Sequence, residues 1–132
     1  MPALVDTNVI IDIVANDPTW GSWSDAAVHA QAADGVFINP TVYAEISAGA
    51  TNISAVEAVI SSLRLSFQET PKDALFLAGQ AFRKYRLQGG AKTSPLADFF
   101  IGAHAMSLGY SIITRDVKRY QAYFPKVPLI TP

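Results

Sequence analysis

Four acidic residues of this chain occupy similar places next to short apolar runs. Asp6 ends the first run, and Asp116 lies two residues beyond Thr114, where the third clear run ends. Glu45 lies one turn into the helix predicted after the second run, and Asp98 lies in the first turn of an apolar helix. Because ligands of open α/β sheets bind beyond the carboxyl ends of the strands, we expect the four carboxylates to meet at one rim of a sheet.

This group of carboxylates predicts a site for a hard divalent cation. The chain has no cysteine and two histidines, and oxygen ligands of this kind suit Mg²⁺, with Mn²⁺ as a substitute. Such ions keep several waters, engage phosphate oxygens and lower the pKa of an attacking water. Thr7, Asn8 and Thr114 are neutral side chains placed to orient a carboxylate or a water beside the ion.

Each carboxylate also has a structural explanation of its own. Asp6 can cap the following helix, worth about 1 kcal/mol, and we expect it to do so as well as to bind metal. Asp98 suits the positive end of a helix dipole. An unpaired buried carboxylate, however, costs on the order of several kcal/mol, which is more than its interaction with the helix dipole contributes. Glu45 can be an exposed helical acid, and Asp116 a turn residue or a partner of Arg119. All four on one rim favour the metal site.

The elements that position these residues follow from hydrophobic periodicity and from proline and glycine. Strands are predicted at 3–5, 36–38, 111–114 and 127–130, with a brief edge strand at 65–67. Helices are predicted at 8–15, 24–33, 41–48, 54–63, 71–87, 95–108 and 115–120. Short apolar strands alternating with helices predict an α/β fold with a mostly parallel sheet covered on both faces. We expect a single domain over 1–132.

Composition narrows the class of protein. Half of the residues are apolar and 16% are charged, which predicts an ordered core. The apolar runs fall short of the roughly 18 residues that span a bilayer, so no membrane segment is expected. No basic segment precedes an apolar run at the N-terminus, and a secretory signal is not expected. Without cysteine there is no disulfide, thiolate metal site or cysteine nucleophile, and a cytoplasmic location fits.

The net charge of −1 conceals an uneven distribution. No Lys or Arg precedes Arg64, and that stretch carries seven acids: Asp6, Asp12, Asp17, Asp25, Asp34, Glu45 and Glu57. From 83 to 126 eight bases face two acids, and the bases are Arg83, Lys84, Arg86, Lys92, Arg115, Lys118, Arg119 and Lys126. These bases are either solvated helix faces or a basic surface for a polyanion.

Four motifs in order, LVDTNVIID, YAEI, LADFFIGAHA and ITRDVKRY, resemble the PIN-domain ribonucleases, specifically the VapC-type toxins of bacterial and archaeal toxin–antitoxin pairs. The resemblance spans the chain and implies a PIN-like three-layer α/β/α fold. It implies that Asp6, Glu45, Asp98 and Asp116 bind one or two Mg²⁺ or Mn²⁺ ions, and that Thr114 helps to hold the site. Tyr120 departs from the pattern, where Phe is common.

The same resemblance implies a function and partners. The expected activity is metal-dependent hydrolysis of RNA phosphodiester bonds by an endoribonuclease toxin, which a small VapB-like antitoxin holds inactive. A homodimer is also implied. Because phosphate contacts dominate RNA affinity, we expect Arg115, Lys118 and Arg119 to position the RNA strand. The loop from Gly89 to Ser94 is expected to contribute to sequence specificity.

Other readings remain open or are disfavoured. A phosphatase of the Asp-x-Asp type lacks its second acid, because Asn8 stands there. A metal-free ribonuclease would need His29 and His104, of which the first is expected to be exposed and the second to be a satisfied core histidine. No glycine-rich nucleotide motif occurs. A PIN nuclease of housekeeping RNA processing and a non-catalytic RNA- or protein-binding PIN-like module stay as alternatives.

A surface for the antitoxin is the least specific expectation. Trp20, Trp23, Tyr43 and the helix 54–63 are candidates for a groove that binds such a partner. They are equally compatible with a place in the hydrophobic core.

Overall fold

The structure is a computed structural model that describes residues 1–90 and 96–132. Within those ranges five strands lie in the order β3-β2-β1-β4-β5, and every neighbouring pair is parallel. The strands are β1 Ala3–Val5, β2 Val36–Ile38, β3 Ser66–Phe67, β4 Ser111–Ile113 and β5 Leu129–Ile130. In the register Leu4 lies between Phe37 and Ile112. The predicted parallel sheet is confirmed.

The helices of the described ranges form the two outer layers. They are α1 Thr7–Val14, α2 Gly21–Gln31, α3 Pro40–Ser47, α4 Ile53–Ser62, α5 Lys72–Leu87, α6 Leu96–Leu108 and α7 Val117–Tyr123. Together with the sheet they make the predicted three-layer α/β/α fold. In these ranges no helix has the length and apolar character needed to cross a membrane.

Several boundaries differ from the predicted ones. Helix α2 begins at Gly21 rather than at 24, because the Asp17 carboxylate accepts the backbone N–H groups of Thr19 and Trp20, at 3.0 and 2.7 Å, and organises the preceding turn. Strand β5 begins at 129 rather than 127, directly after a proline that lacks an N–H donor. Residues 91–94 of the predicted loop and the predicted helix start at Pro95 lie outside the described residues.

Helix α6 is the core helix of the domain. Phe99, Ile101, Ala103 and Ala105 are fully buried, as its apolar sequence predicts. Gly102 permits close packing, because a Cβ atom there would lie 2.3 Å from the Phe124 ring. Asp98, the candidate site residue of this helix, therefore belongs to a buried and closely packed element.

A buried polar pair joins α6 to α3. Asn39 caps α3 by accepting the Val42 N–H at 3.1 Å, and its amide nitrogen lies 3.2 Å from His104 Nδ1. Burial lowers the pKa of the His104 imidazole, so the neutral ring accepts at Nδ1. No described residue bonds its Nε2. His104 is a buried core histidine as predicted, and Asn39 bonds its Nδ1.

Candidate metal centre

Asp6 lies at the junction between β1 and α1, with 3% of its surface exposed. Its backbone is extended at the start of α1, yet its side chain makes no capping hydrogen bond. The predicted side-chain cap is therefore wrong, because donors from elsewhere engage the carboxylate. Its Oδ2 accepts hydrogen bonds from Thr114 Oγ1 at 2.7 Å, Tyr120 OH at 3.0 Å and Asn8 Nδ2 at 3.3 Å.

The pKa of the Asp6 carboxyl is raised to about 6, chiefly because burial disfavours the charged form. Repulsion by Asp98 acts in the same direction, whereas hydrogen bonds from Thr114 and Tyr120 oppose it. A carboxylate in this position carries buried negative charge that a bound cation would neutralise.

Asp98 lies in the first turn of α6 and pairs with Arg119 of α7, whose Nη1 is 3.0 Å from Oδ2. Arg119 is thus paired with Asp98 and not with Asp116, the partner considered from the sequence. Even so, the pKa of Asp98 is raised, because burial outweighs this cation and because Asp116 and Glu45 repel its charge. Asp98 is therefore the electrostatic centre of the four acids.

Glu45 and Asp116 are the exposed members of the group. The Thr7 hydroxyl donates to Glu45 Oε1 at 2.6 Å, which ties α1 to α3. Asp116 stands before the first residue of α7, and its backbone N–H donates to Thr114 Oγ1 at 2.9 Å. Both carboxylates are exposed. A threonine hydroxyl group bonds the side chain of Glu45 and another bonds the backbone of Asp116.

The neutral residues connect these acids to one another. The Thr114 hydroxyl donates to Asp6 and accepts from the Asp116 backbone, so one side chain couples two carboxylate-bearing segments. Asn8 donates to Asp6 through Nδ2 and lies 3.4 Å from the Arg115 backbone N–H through Oδ1. Two short segments, 6–8 and 114–116, are thus held together at one rim of the sheet.

The donor set fits a hard cation, although no ion is enclosed by protein ligands alone. Across 1–90 and 96–132, no three acidic or histidine side chains are arranged to hold a metal ion together. Mg²⁺, however, is commonly bound by one or two carboxylates, with waters and substrate phosphates completing its octahedron. Asp6 and Asp98 have pKa values raised by burial, and their oxygen atoms match the ligand preference of Mg²⁺ and Mn²⁺.

The three basic residues assigned to RNA differ in their surroundings. Arg115 forms a two-point ion pair with Asp12, at 2.6 and 2.9 Å, and its guanidinium lies 5.4 Å from the centre of the Trp20 ring. Arg119 is engaged by Asp98, as above. Lys118 is exposed and makes no ion pair with any described residue. It is the cation most accessible to a phosphate.

Two residues of the site were not identified from the sequence. Asp12 is buried, and besides Arg115 it accepts the Ser24 hydroxyl at 3.0 Å. Its only sequence signal is an acid in an otherwise apolar helix. Tyr120, seen in the sequence only as a departure from the family pattern, donates its hydroxyl to Asp6. Both partners lie more than a hundred residues away in the chain, so spacing gives no clue to them.

The alternative histidine site and the predicted aromatic groove are not assembled. His29 is exposed beside Asp25 and His104 is buried in α6, so the two do not form a common site. A groove of about 390 Å³ does exist, but its walls come from α1, α3 and α4, and Trp20, Trp23 and Tyr43 do not line it. Trp23 and Tyr43 pack against the core instead, and a partner-binding role for the aromatic residues and for α4 stays a prediction.

A family model described as the PIN domain matches residues 3–125. No curated protein matches the chain at a significant level.

Solved structures of toxin–antitoxin complexes share the fold. VapBC2 from Rickettsia felis, bound to a promoter DNA fragment, is 17% identical, with a TM-score of 0.76 over 99% of this chain and 98% of that one. VapBC-1 from nontypeable Haemophilus influenzae is 24% identical, with a TM-score of 0.75 over the same shares. A toxin–antitoxin complex from Klebsiella pneumoniae is 21% identical, with a TM-score of 0.72 over 98% and 97%.

Proposed function

Since this chain belongs to the PIN domain family, we propose that it is a Mg²⁺-dependent endoribonuclease, with Mn²⁺ as a substitute, and the toxin of a toxin–antitoxin pair. The observation that supports this most is the group of four acids around Asp98, two of them with pKa values raised by burial. Acidic side chains at a sheet rim, positioned by the hydroxyl groups of Thr7 and Thr114, suit a cation that assists phosphodiester hydrolysis.

In this proposal each residue has a separate role. Asp6 and Asp98 would hold the cation, and Glu45 and Asp116 would be its further acidic neighbours. When bound, the cation activates water and screens charge on the phosphate. Thr114 and Asn8 keep Asp6 in one orientation. Thr7 does the same for Glu45.

Arg119 has a place in the same scheme. Its guanidinium pairs with Asp98, and it would become available to an RNA phosphate if a bound cation neutralised Asp98 instead. Arg115 and Lys118 extend the positive surface beside it. Their positions beside Asp116 suit contacts with the RNA backbone, which carry affinity rather than sequence preference.

Cleavage of a mixed RNA pool tests the activity. Mg²⁺ or Mn²⁺ should support cutting and EDTA should abolish it, and Asp6→Asn and Asp98→Asn should each lose it. Asp25→Asn removes an exposed acid from α2 and should cut like the wild type. Cutting that survives EDTA and both site substitutions would refute the proposal. A single-stranded DNA pool, treated in parallel, should stay intact.

The groove between α1, α3 and α4 is the surface that we assign to the antitoxin. Ile11 and Val14 expose apolar side chains along it, and Glu45 stands at its edge. An apolar segment seated there would lie beside the carboxylates and block RNA. Val14→Glu should leave cleavage intact but prevent inhibition by the small protein encoded upstream, if that gene is present. A housekeeping nuclease would have no such neighbour and would not arrest growth when expressed.

A second copy of the chain is the partner that we assign to the outer face of α5. Phe76 and Leu87 are 65% and 77% exposed on this helix. Asp73 lies in its first turn, and Arg86 lies in its last. Two such helices packed antiparallel would bring the acidic end of each to the basic end of the other. Phe76→Glu should yield a monomer in sedimentation, whereas Ile53→Glu, at an exposed position of α4, should not.

The proposal places the protein in the cytoplasm, where RNA and an antitoxin are both accessible. A non-catalytic PIN-like module is the alternative. It would bind RNA with no metal-dependent cutting in the assay above.

A further inference from the structure

Tyr120 contributes a hydroxyl group to the carboxylate rim from inside the core. Its side chain is fully buried, and its hydroxyl lies 3.0 Å from Asp6 Oδ2. The two residues are 114 positions apart, so the contact joins the start of the chain to α7. A phenylalanine at this position would fill the same space and make no such bond.

The hydroxyl acts together with two other donors on the same oxygen. Thr114, which follows β4, and Asn8 of α1 also donate to Asp6 Oδ2. Tyr120 alone comes from α7, so its bond adds a direction that the other two do not supply. Donors from three elements fix the rotation of a carboxylate more tightly than donors from one.

Because the Tyr120 hydroxyl is buried, it requires a hydrogen-bond partner inside the protein. A buried O–H group costs free energy unless it is hydrogen-bonded, and within the described residues the Tyr120 hydroxyl donates to Asp6. The contact with Asp6 therefore offsets the cost of burying this hydroxyl.

We propose that Tyr120 is a positioning residue of the metal site, whose hydroxyl holds the Asp6 carboxylate in the orientation that binds the cation. This inference rests on the proposed function, because it requires Asp6 to be a metal ligand. Loss of a group that orients a metal ligand commonly weakens metal affinity by about 10- to 100-fold.

Mn²⁺ titration of the RNA-free protein, by calorimetry or by loss of the free Mn²⁺ paramagnetic resonance signal, tests it. Tyr120→Phe should weaken Mn²⁺ binding by about 10-fold or more. Tyr123→Phe is the matched control, since it deletes a hydroxyl from the same helix that bonds Gln88 and not a carboxylate. It should bind Mn²⁺ like the wild type. RNA cleavage by Tyr120→Phe should recover at high Mn²⁺, which a purely structural defect would not do.

Two results would overturn the inference in different ways. Wild-type protein that binds Mn²⁺, with Tyr120→Phe binding it equally well, refutes the role of Tyr120 and leaves the nuclease proposal standing. Wild-type protein that binds no Mn²⁺ refutes both.

A metal-free thermodynamic cycle gives a second readout. At about pH 8 Tyr120→Phe should destabilise the protein more when residue 6 is aspartate than in Asp6→Asn, because hydrogen bonds to charged groups are stronger. Equal losses in both backgrounds would contradict a bond between the hydroxyl and the carboxylate.

Discussion

At the scale of single residues, burial makes the charged form of Asp6, the proposed metal ligand, costly to the fold. Its pKa is raised from 3.8 to about 6, so the folded protein holds this proton more tightly than the unfolded chain does. The free energy of unfolding therefore falls as pH rises from about 3.8 to about 6, and the loss persists above that range. A bound cation would reverse it.

Asp6→Asn should therefore stabilise the metal-free protein at pH 8, by up to roughly 3 kcal/mol for a shift of about two pKa units. At pH 4, where the wild-type carboxyl is largely protonated in the fold, the gain should be small. Urea unfolding at both pH values measures this, with Asp25→Asn as the exposed control. An equal effect at both pH values would contradict the role of ionisation.

The ion pair between Asp12 and Arg115 is expected to stabilise the rim. Asp12→Asn should lower the free energy of unfolding by roughly 1–3 kcal/mol, since it weakens charged hydrogen bonds to a buried acid. Arg115→Gln should cost less once Asp12 has been replaced. A double-mutant cycle in urea measures the coupling, and simple additivity of the two losses would show that the pair contributes nothing.

Prediction from the sequence succeeded for residues whose place in the fold follows from the strand that precedes them. Asp6 and Asp116 follow strands that turn out to be neighbours. It failed where side chains from distant parts of the chain choose their partners, as with Tyr120 on Asp6 and Asp12 on Arg115. The same limit explains the wrong cap, since the helix start is visible in the sequence but the competing donors are not.

At the scale of elements, glycines in α5 and α6 have opposite surroundings. A Cβ at Gly102 would lie 2.3 Å from Phe124, whereas nothing lies within 4 Å of one at Gly79. Gly102→Ala should destabilise the protein by roughly 1–3 kcal/mol through overpacking. Gly79→Ala should stabilise it by roughly 0.5–1 kcal/mol through helix propensity. Thermal unfolding of both variants measures this, and a loss at Gly79 would contradict the open surface.

The order and type of the elements were predictable because periodicity and punctuation are local. The largely apolar sequence of α6 predicted a buried helix, and Phe99 and residues 101–105 are indeed buried. The first residues of α2 and β5 were less predictable. The Asp17 side chain determines where α2 begins, and Pro128 determines where β5 begins. The groove between α1, α3 and α4 depends on how three helices pack, which no single stretch of sequence encodes.

At the scale of the whole molecule, the fold brings the acidic first half and the basic second half to one rim. Asp6 and Glu45 come from the first half, and Lys118 and Arg119 from the second. The sequence shows the asymmetry, but only the fold places both signs of charge side by side. Under the proposed function, this arrangement would let one surface hold a cation and an RNA backbone together.

Lys118→Ala should weaken RNA binding about equally for different RNA sequences and reduce the slope of log affinity against log salt by about 1. Binding is measured without divalent metal, so that no RNA is cut. Lys72→Ala removes an exposed cation from the start of α5 and should leave the slope unchanged. An unaltered slope in Lys118→Ala would show that this residue makes no phosphate contact.

The most direct measurement of the central claim is a crystal structure of the protein with Mn²⁺, recorded for anomalous scattering. We expect an anomalous peak at the rim, within coordination distance of Asp6 and at least one of Glu45, Asp98 and Asp116, with Arg119 moved from Asp98. The Asp6→Asn crystal should lack the peak. Manganese bound elsewhere, or no manganese at saturating concentration, would contradict the assignment of these carboxylates as the metal site.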